Sequence, residues 1–149
     1  MKKHLILVLT ISFFVLNAGS VIAQNRIQAR AFLNRTNKII VKAKGAVNVE
    51  KVYTGDVVKA VYHQRLARSL YKDSKYQRAI HHSYRARELA LAAIRANKHQ
   101  VENEYELQKD EKAQIKGKPD NLHLDAEVEI PKGADDKNVL QDKEDDVKE

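Results

Sequence analysis

The side chains best suited to chemistry in this 149-residue chain are its histidines, because imidazole nitrogens bind metal ions and exchange protons near neutral pH. Five of the six follow the apolar N-terminal stretch: His63, His81, His82, His99 and His123. His81 and His82 are neighbours, so on a helix they point about 100° apart, and no His-Glu-x-x-His or His-x-x-x-His spacing occurs. In a helical hairpin that turns near residues 72–75, His63 lies roughly 5 Å along the axis from that pair. We therefore expect exposed, polar histidines and no metal ligand.

Carboxylates and cysteines, the other common catalytic groups, are scarce in the central part of the chain. Residues 24–100 hold four carboxylates, Glu50, Asp56, Asp73 and Glu88, and the whole chain has no Cys. The absence of Cys excludes a thiolate nucleophile, a thiolate metal site and a disulfide framework. The sequence also has no Gly-rich phosphate loop and no serine elbow. We expect a protein that is not an enzyme and has no cofactor.

The first 23 residues have the three parts of a secretory signal peptide. Lys2 and Lys3 give a basic start, an apolar run follows from residue 5 to residue 16, and Ala23 ends a cleavage pattern of small residues. The run is shorter than the roughly 20 apolar residues that span a bilayer; an uncleaved anchor is the alternative. We predict cleavage after Ala23, no transmembrane segment in the remaining chain, and a periplasmic or secreted protein.

Charge divides the chain after the predicted signal peptide into two parts of opposite sign. Residues 24–100 contain 17 Lys and Arg against 4 Asp and Glu, whereas residues 101–149 contain 8 and 16. Both prolines lie in the acidic part, and its last residues offer little apolar surface to offset the entropy of ordering the chain. We therefore predict a helical domain over residues 24–116 and a flexible, disordered acidic tail over residues 117–149.

A short stretch of the tail has the alternation of a β-strand. Apolar and polar residues alternate with a period of two over residues 122–130. No matching partner strand is visible elsewhere in the sequence. We expect an extended, unpaired linker here; the alternative is a strand that pairs with an exposed sheet edge of another protein.

The central part of the chain has the three- and four-residue spacing of amphipathic helices. The first helix is predicted over about residues 25–47, and the pattern breaks at Gly55, with Asp56 as the expected N-cap of the second helix. The second helix is predicted to end near Asp73, and the third to run from there to about Ile115 because apolar residues keep its phase. The expected fold is all-α, a three-helix bundle with a long third helix.

One stretch has a more specific spacing than amphipathicity alone requires. Between residues 62 and 94, apolar residues flank a polar turn in a fixed order: Leu66-Ala67, Leu70-Tyr71, Tyr76, Ala79-Ile80, Ala86 and Leu89. This stretch resembles a single tetratricopeptide repeat, a helix-turn-helix unit with a period of about 34 residues. It departs from the family at Ser74, where Gly is usual, and at Ser83, where an aromatic residue is usual. The resemblance implies a bundle built around this hairpin, with the first helix completing the core because one repeat cannot bury its own face.

The resemblance also implies a peptide-binding surface on the inner face of the second helix. The matching polar positions are Gln64, Arg68, Tyr71 and Lys72. Gln64, Arg68 and Lys72 follow one another at four-residue steps and form one stripe, in which Arg68 can hold a carboxylate with two donors. We expect a module that binds an acidic protein or peptide, an anionic envelope polymer or lipid headgroups, and no nucleic acid, because aromatic residues do not alternate with the charges. The alternative is a periplasmic helical bundle that binds a metal ion through histidines.

Overall fold

Three long helices form the body of the molecule in a computed structural model, which describes the backbone of residues 2–148 and the side chains of residues 23–148. The long helices are α1 (Lys2–Glu50), α2 (Asp56–Lys72) and α3 (Tyr76–Ala96). After them come a 3₁₀ turn (Asn103–Tyr105) and three short helices, α4 (Lys109–Gln114), α5 (Asn121–Ala126) and α6 (Asp136–Val139). The described residues contain no β-strand and the three long helices pack together, which confirms the all-α prediction.

The predicted signal peptide lies almost entirely outside the residues whose side chains the structure describes. Its cleavage after Ala23 therefore stays a prediction, as does the location that it implies. In the described part of the chain, no helix combines the length and the apolar character that crossing a membrane requires.

Two apolar clusters hold α1, α2 and α3 together. The first lies beside the turn between α2 and α3, and the second lies at the other end of this hairpin. Their members from the three helices include Phe32, Leu70 and Ile80 in the first cluster and Val47, Val61 and Ile94 in the second. Ala67 and Ala79 are fully buried in the first cluster, and these small side chains let the axes of α2 and α3 approach closely.

α3 ends at Ala96, not near Ile115 as its hydrophobic spacing predicts. Lys98 has a left-handed backbone with φ 56°, and the amide of His99 donates to the carbonyl of Ile94 at 3.2 Å. This Schellman arrangement satisfies carbonyls of the last turn and directs the chain off the helix axis. Val101 and Tyr105, which keep the phase, still pack on the core, but from outside the helix. Periodicity alone therefore cannot reveal where α3 ends.

The N-terminus of α2 is capped by the tail, not by Asp56 as predicted. Gly55 precedes the helix with φ 82°, a left-handed conformation that suits glycine. The carboxylate of Asp136 accepts hydrogen bonds from the amides of Gly55 and Val58, both at 2.8 Å. The negative charge of Asp136 at this end also interacts favourably with the positive pole of the helix dipole. α6 is thereby fixed to the start of α2.

Residues 122–130 do not form the expected strand-like linker, because α5 covers their first half. The carboxylate of Asp120 accepts from the amide of His123 at 2.8 Å, which is a helix N-cap. Leu124 is buried, whereas Leu122 is 82% exposed, so the two alternating leucines do not share a face. The capping bond favours a helical turn over the period-two pattern.

The acidic tail packs against the body, which corrects the expectation of a disordered tail. Its fully buried apolar residues are few, with Leu124 and Val139 the clearest, so the composition argument is right about apolar burial. The order comes instead from tail carboxylates that pair with Lys, Arg and His of the body, namely those of Asp125, Glu127, Asp142 and Glu144. The acidic tail therefore lies in direct contact with the basic body.

Candidate functional site

A groove between α1 and α2 presents cations and amide groups to the end of the acidic tail. The two helices contribute five residues to it: Asn34, Asn37, Lys44, Arg65 and Arg68. We call this set the basic groove. Residues 142–147, which have no regular secondary structure, lie along it and are called the acidic segment. The groove residues of α1 lie three and seven positions apart, and those of α2 three apart, so each set shares one helix face.

Glu144 is the centre of this contact. Its carboxylate pairs with Nζ of Lys44 at 2.6 Å and with the guanidinium of Arg68. The Glu144 side chain is 1% exposed, so the carboxylate has left water and depends on these two cations. Asp142 pairs with Arg65 at 2.5 Å in a more exposed position, where an ion pair contributes less.

Asn37 is held in a single orientation by its buried neighbours. Its side-chain oxygen accepts from Nε2 of Gln64 at 2.6 Å and from Arg68 at 3.3 Å. Nε2 of Gln64 also donates to the carbonyl of Leu33 at 2.9 Å. The amide nitrogen of Asn37 consequently faces the acidic segment, where it donates to the carbonyl of Asp145 at 2.8 Å. Gln64 thus acts on the segment by positioning Asn37.

Asn34 contacts the main chain of the acidic segment. Its Nδ2 donates to the carbonyl of Val147 at 3.1 Å, and its Oδ1 accepts from the amide of Val147 at 2.7 Å. A neighbouring β-strand would offer the same donor and acceptor pair to one residue. The side chain of Val147 packs on the apolar cluster beside the hairpin turn. Asn34 therefore fixes the position of the segment along the groove through main-chain contacts, which do not depend on the side chains of the segment.

Two of the four residues selected by the resemblance touch or position the acidic segment. Arg68 pairs with Glu144, and Gln64 positions Asn37. Gln64 does not form an accessible stripe with Arg68 and Lys72, because its exposed fraction is 0%. The reason is that α1 packs on this face of α2, where the carbonyl of Leu33 is within reach of the glutamine.

The other two predicted residues, Tyr71 and Lys72, line a cavity of about 660 Å³ at the end of the acidic segment, together with Arg68. The hydroxyl of Tyr71 and Nε of Arg68 are buried and have no hydrogen-bond partner among the described residues. Buried polar atoms in proteins are nearly always paired. Both atoms are therefore unsatisfied within the wall of the cavity, and neither is accessible to a molecule inside it.

Asn34, Asn37 and Lys44 are functional candidates that the sequence argument missed. Amphipathic spacing places Asn37 and Lys44 on the buried side of α1, among apolar residues, and both are in fact buried. Polar residues at such positions need partners. A buried Asn and a buried Lys on one helix face are the signal that would have pointed to a polar partner.

A second polar cluster joins α2, α3 and the tail at His63 and His82. The two Nδ1 atoms are 3.2 Å apart, and the ring centroids are 5.4 Å apart. Nε2 of His63 faces Asp125 at 3.1 Å, and Nε2 of His82 faces Glu127 at 3.2 Å. Both rings are buried, and so is His81, so the prediction of exposed histidines is wrong for these three residues. The imidazole side chains bridge the axial offset that separates their backbones.

Burial governs the protonation of this pair. Burial and the neighbouring His82 lower the pKa of His63 to about 4, and burial also lowers the pKa of His82. Both rings are therefore neutral at neutral pH. The Arg85 guanidinium holds the pKa of Asp125 below its usual range. No group of three or more potential metal-ligating side chains occurs within the part of the chain that the structure describes.

The chemistry of the basic groove is that of a binding site. Its cations suit carboxylates, and its two asparagines suit main-chain carbonyls and amides. Comparisons of the chain with protein-family models, with curated proteins and with solved structures find no match. What the groove binds is therefore inferred from its own contacts.

Proposed function

We propose that the protein is an exported, non-enzymatic interaction module that holds an acidic partner in the basic groove. The observation that carries this proposal is the acidic segment, whose Glu144 is held out of water by Lys44 and Arg68. Donors that hold one acidic stretch are available to another of the same chemistry. The partner is an acidic protein or peptide, or an anionic envelope polymer or lipid headgroup.

The charge of the body supports this function. Residues 24–100 contain 17 Lys and Arg against 4 Asp and Glu, and such an excess attracts an anionic partner before contact. The signal peptide predicted at residues 1–23 directs the module to the periplasm or out of the cell. Lipid headgroups and envelope polymers are abundant polyanions there, whereas nucleic acid is not.

We also propose that the α2–α3 hairpin is one tetratricopeptide-like unit. The fully buried Ala67 and Ala79 support this relationship, since they stand where the resemblance requires small residues between the two helices. α1 covers the face that a neighbouring repeat would otherwise cover. The groove then lies where α1 meets the first helix of the unit.

Binding of poly-glutamate tests the proposed function. In a Glu144→Gln background, which loosens the acidic segment, Arg68→Glu reverses a charge at the centre of the groove. It should weaken binding at low salt by at least about tenfold, because a buried charge pair contributes to affinity. Arg95→Glu at the far end of α3 changes the net charge equally and is the control. No binding by the Glu144→Gln protein, or equal weakening by both reversals, would contradict a localised acidic-partner site.

The facing nitrogens of His63 and His82 favour a second candidate function, a periplasmic helical bundle that binds a metal ion through histidines. Their separation of 3.2 Å is close to the roughly 3.3 Å between two nitrogens on one tetrahedral zinc ion. Asp125 and Glu127 would accept from the outer nitrogens and orient both rings. Zinc or copper should then raise the melting temperature of the wild type but not that of His63→Gln. An unchanged melting temperature in the wild type would exclude this candidate.

A further inference from the structure

We propose that the basic groove recognises an extended polypeptide with acidic side chains at alternate positions, and that residues 142–147 occupy the groove as an internal stand-in for it. This inference rests on the proposed function and narrows its partner. It selects a polypeptide over an envelope polymer or a lipid headgroup. It also implies that the partner must displace the protein's own acidic segment.

The contacts of Asn34 select a polypeptide. Its side-chain amide both donates to the carbonyl and accepts from the amide of Val147. Asn37 adds a hydrogen bond to the carbonyl of Asp145. Three main-chain hydrogen bonds from two asparagines recognise a peptide backbone, which phosphate and sugar polymers do not have. The same side chains would contribute little to binding of a simple polyanion.

The alternating contacts define which side chains of a bound peptide the basic groove recognises. The side chains of Asp142 and Glu144 face Arg65, Lys44 and Arg68, whereas the intervening Lys143 and Asp145 are exposed. Over residues 142–145 the side chains thus alternate between the groove and solvent, the pattern of an extended chain. The first and third positions of a partner are therefore acidic, and the second and fourth are unrestricted.

The third position carries most of the selectivity. Glu144 is nearly inaccessible to water and has two cationic partners, so a neutral residue there would leave both cations unpaired at the base of the groove. The fifth position, Asp146, accepts from Asn37 at 3.1 Å and is exposed. The sixth, Val147, packs on an apolar cluster. The partner sequence is thus acidic at positions one, three and five and aliphatic at position six.

The cavity beside Val147 explains how an external peptide can compete with the internal segment. A tethered segment has an effective concentration in the millimolar range, which a free peptide must overcome. Residues that follow position six of a partner enter the cavity lined by Arg68, Tyr71 and Lys72. A partner that continues beyond position six gains contacts with the walls of this cavity that residues 142–147 do not make.

The test uses the whole protein and three probes. The probes are a fluorescent peptide with the sequence of residues 141–148, a scrambled peptide of the same composition, and polyphosphate. The peptide should bind Glu144→Gln at least about tenfold more tightly than wild type, because the loosened segment no longer blocks the groove. Glu129→Gln removes the same charge from an exposed tail site and should behave as wild type. If Glu144→Gln does not fold, Asp142→Asn loosens the segment at its more exposed end and should give a smaller gain in the same direction.

Within the Glu144→Gln background, Asn34→Ala should weaken peptide binding by about tenfold and leave polyphosphate binding unchanged. Asn48→Ala, at an exposed position of α1, is the matched control. Equal affinity for the ordered and scrambled peptides, or no effect of Asn34→Ala, would overturn this inference while leaving a charge-based acidic-partner site intact. Failure of all three probes to bind either protein would overturn both the inference and the proposed function.

Discussion

Among the tail carboxylates on the basic groove, Glu144 differs from its neighbours because it is both buried and doubly paired. An exposed pair such as Asp142 with Arg65 contributes about 0–1 kcal/mol. Hydrogen bonds to charged groups that are shielded from water contribute about 1.5–3 kcal/mol. The attachment of the acidic segment therefore depends mainly on one side chain, and its removal is the sharpest perturbation of the groove.

Glu144→Gln should lower the free energy of unfolding by about 1.5–3 kcal/mol, because Lys44 and Arg68 lose a shared carboxylate. Urea unfolding at neutral pH measures this loss. Glu129→Gln, which removes an exposed charge, should change stability by less than about 0.5 kcal/mol. Equal stability of the two variants would mean that Glu144 does not hold the segment on the groove.

The buried His63 makes stability depend on pH in a defined direction. The pKa of His63 is about 4 in the folded protein, chiefly because of burial, against about 6.5 in an unfolded chain. Between these values the unfolded state holds the extra proton, so stability falls as the pH is lowered from 6.5 to 4, by about 3 kcal/mol from this group. At higher pH its contribution is constant.

Chemical denaturation at several pH values tests this dependence. Carboxylates titrate over part of the same range, so the comparison is between wild type and His63→Gln, whose stability should vary less between pH 6.5 and 4. His123→Gln, at an exposed position on α5, should keep the slope of the wild type. Parallel curves for wild type and His63→Gln would show that His63 is not the titrating group.

Individual residues of the groove could be predicted only in part. The resemblance points to Arg68 as a carboxylate-binding residue, and its guanidinium lies on Glu144. The contacts of Asn34 and Asn37 could not be predicted, because their partners are more than a hundred positions away in sequence; only the position of Asn37 on the buried side of α1 indicates a polar partner. The contact between His63 and His82 was not predicted, because the estimated separation along the helix axis ignored the length of the imidazole side chains.

At the scale of elements, local signals predicted the hairpin well. α2 ends at Lys72 and α3 begins at Tyr76, as the polar turn indicates. Ser74 takes the left-handed conformation that the turn requires, with φ 60°. The end of α3 and the existence of α5 were not predicted, because a Schellman turn and an Asp120 cap are decided by single residues that periodicity does not weigh.

The hairpin core gives a direct stability prediction. Leu70 is buried with Ile80 in the apolar cluster beside the turn. Leu70→Ala should cost about 2–5 kcal/mol, the range for a large-to-small change in a core. Leu122→Ala is the same substitution at a position that is 82% exposed and should cost less than about 0.5 kcal/mol. Similar unfolding midpoints for the two variants would contradict this packing of α2 against α3.

At the scale of the whole molecule, the opposite charges of the two parts of the sequence become one contact. The composition rule for disorder weighs apolar surface against chain entropy. That rule does not account for ion pairs in which Lys and Arg of the body hold carboxylates of the same chain in partly buried positions. The charge division is visible in the sequence, but the pairing depends on which carboxylate reaches which cation, and only the folded arrangement of α1 and α2 decides that.

A spin label beside Val147 tests directly whether the acidic segment lies in a groove that binds acidic peptides. The chain has no Cys, so Lys148→Cys accepts a single nitroxide label next to Val147. At low salt the label should broaden the amide signals of residues 30–37 and 68–72 and spare residues 90–96, at the far end of the hairpin. Excess unlabelled peptide with the sequence of residues 141–148 should restore the broadened signals. Weak, uniform broadening, or broadening that the peptide does not relieve, would contradict the account.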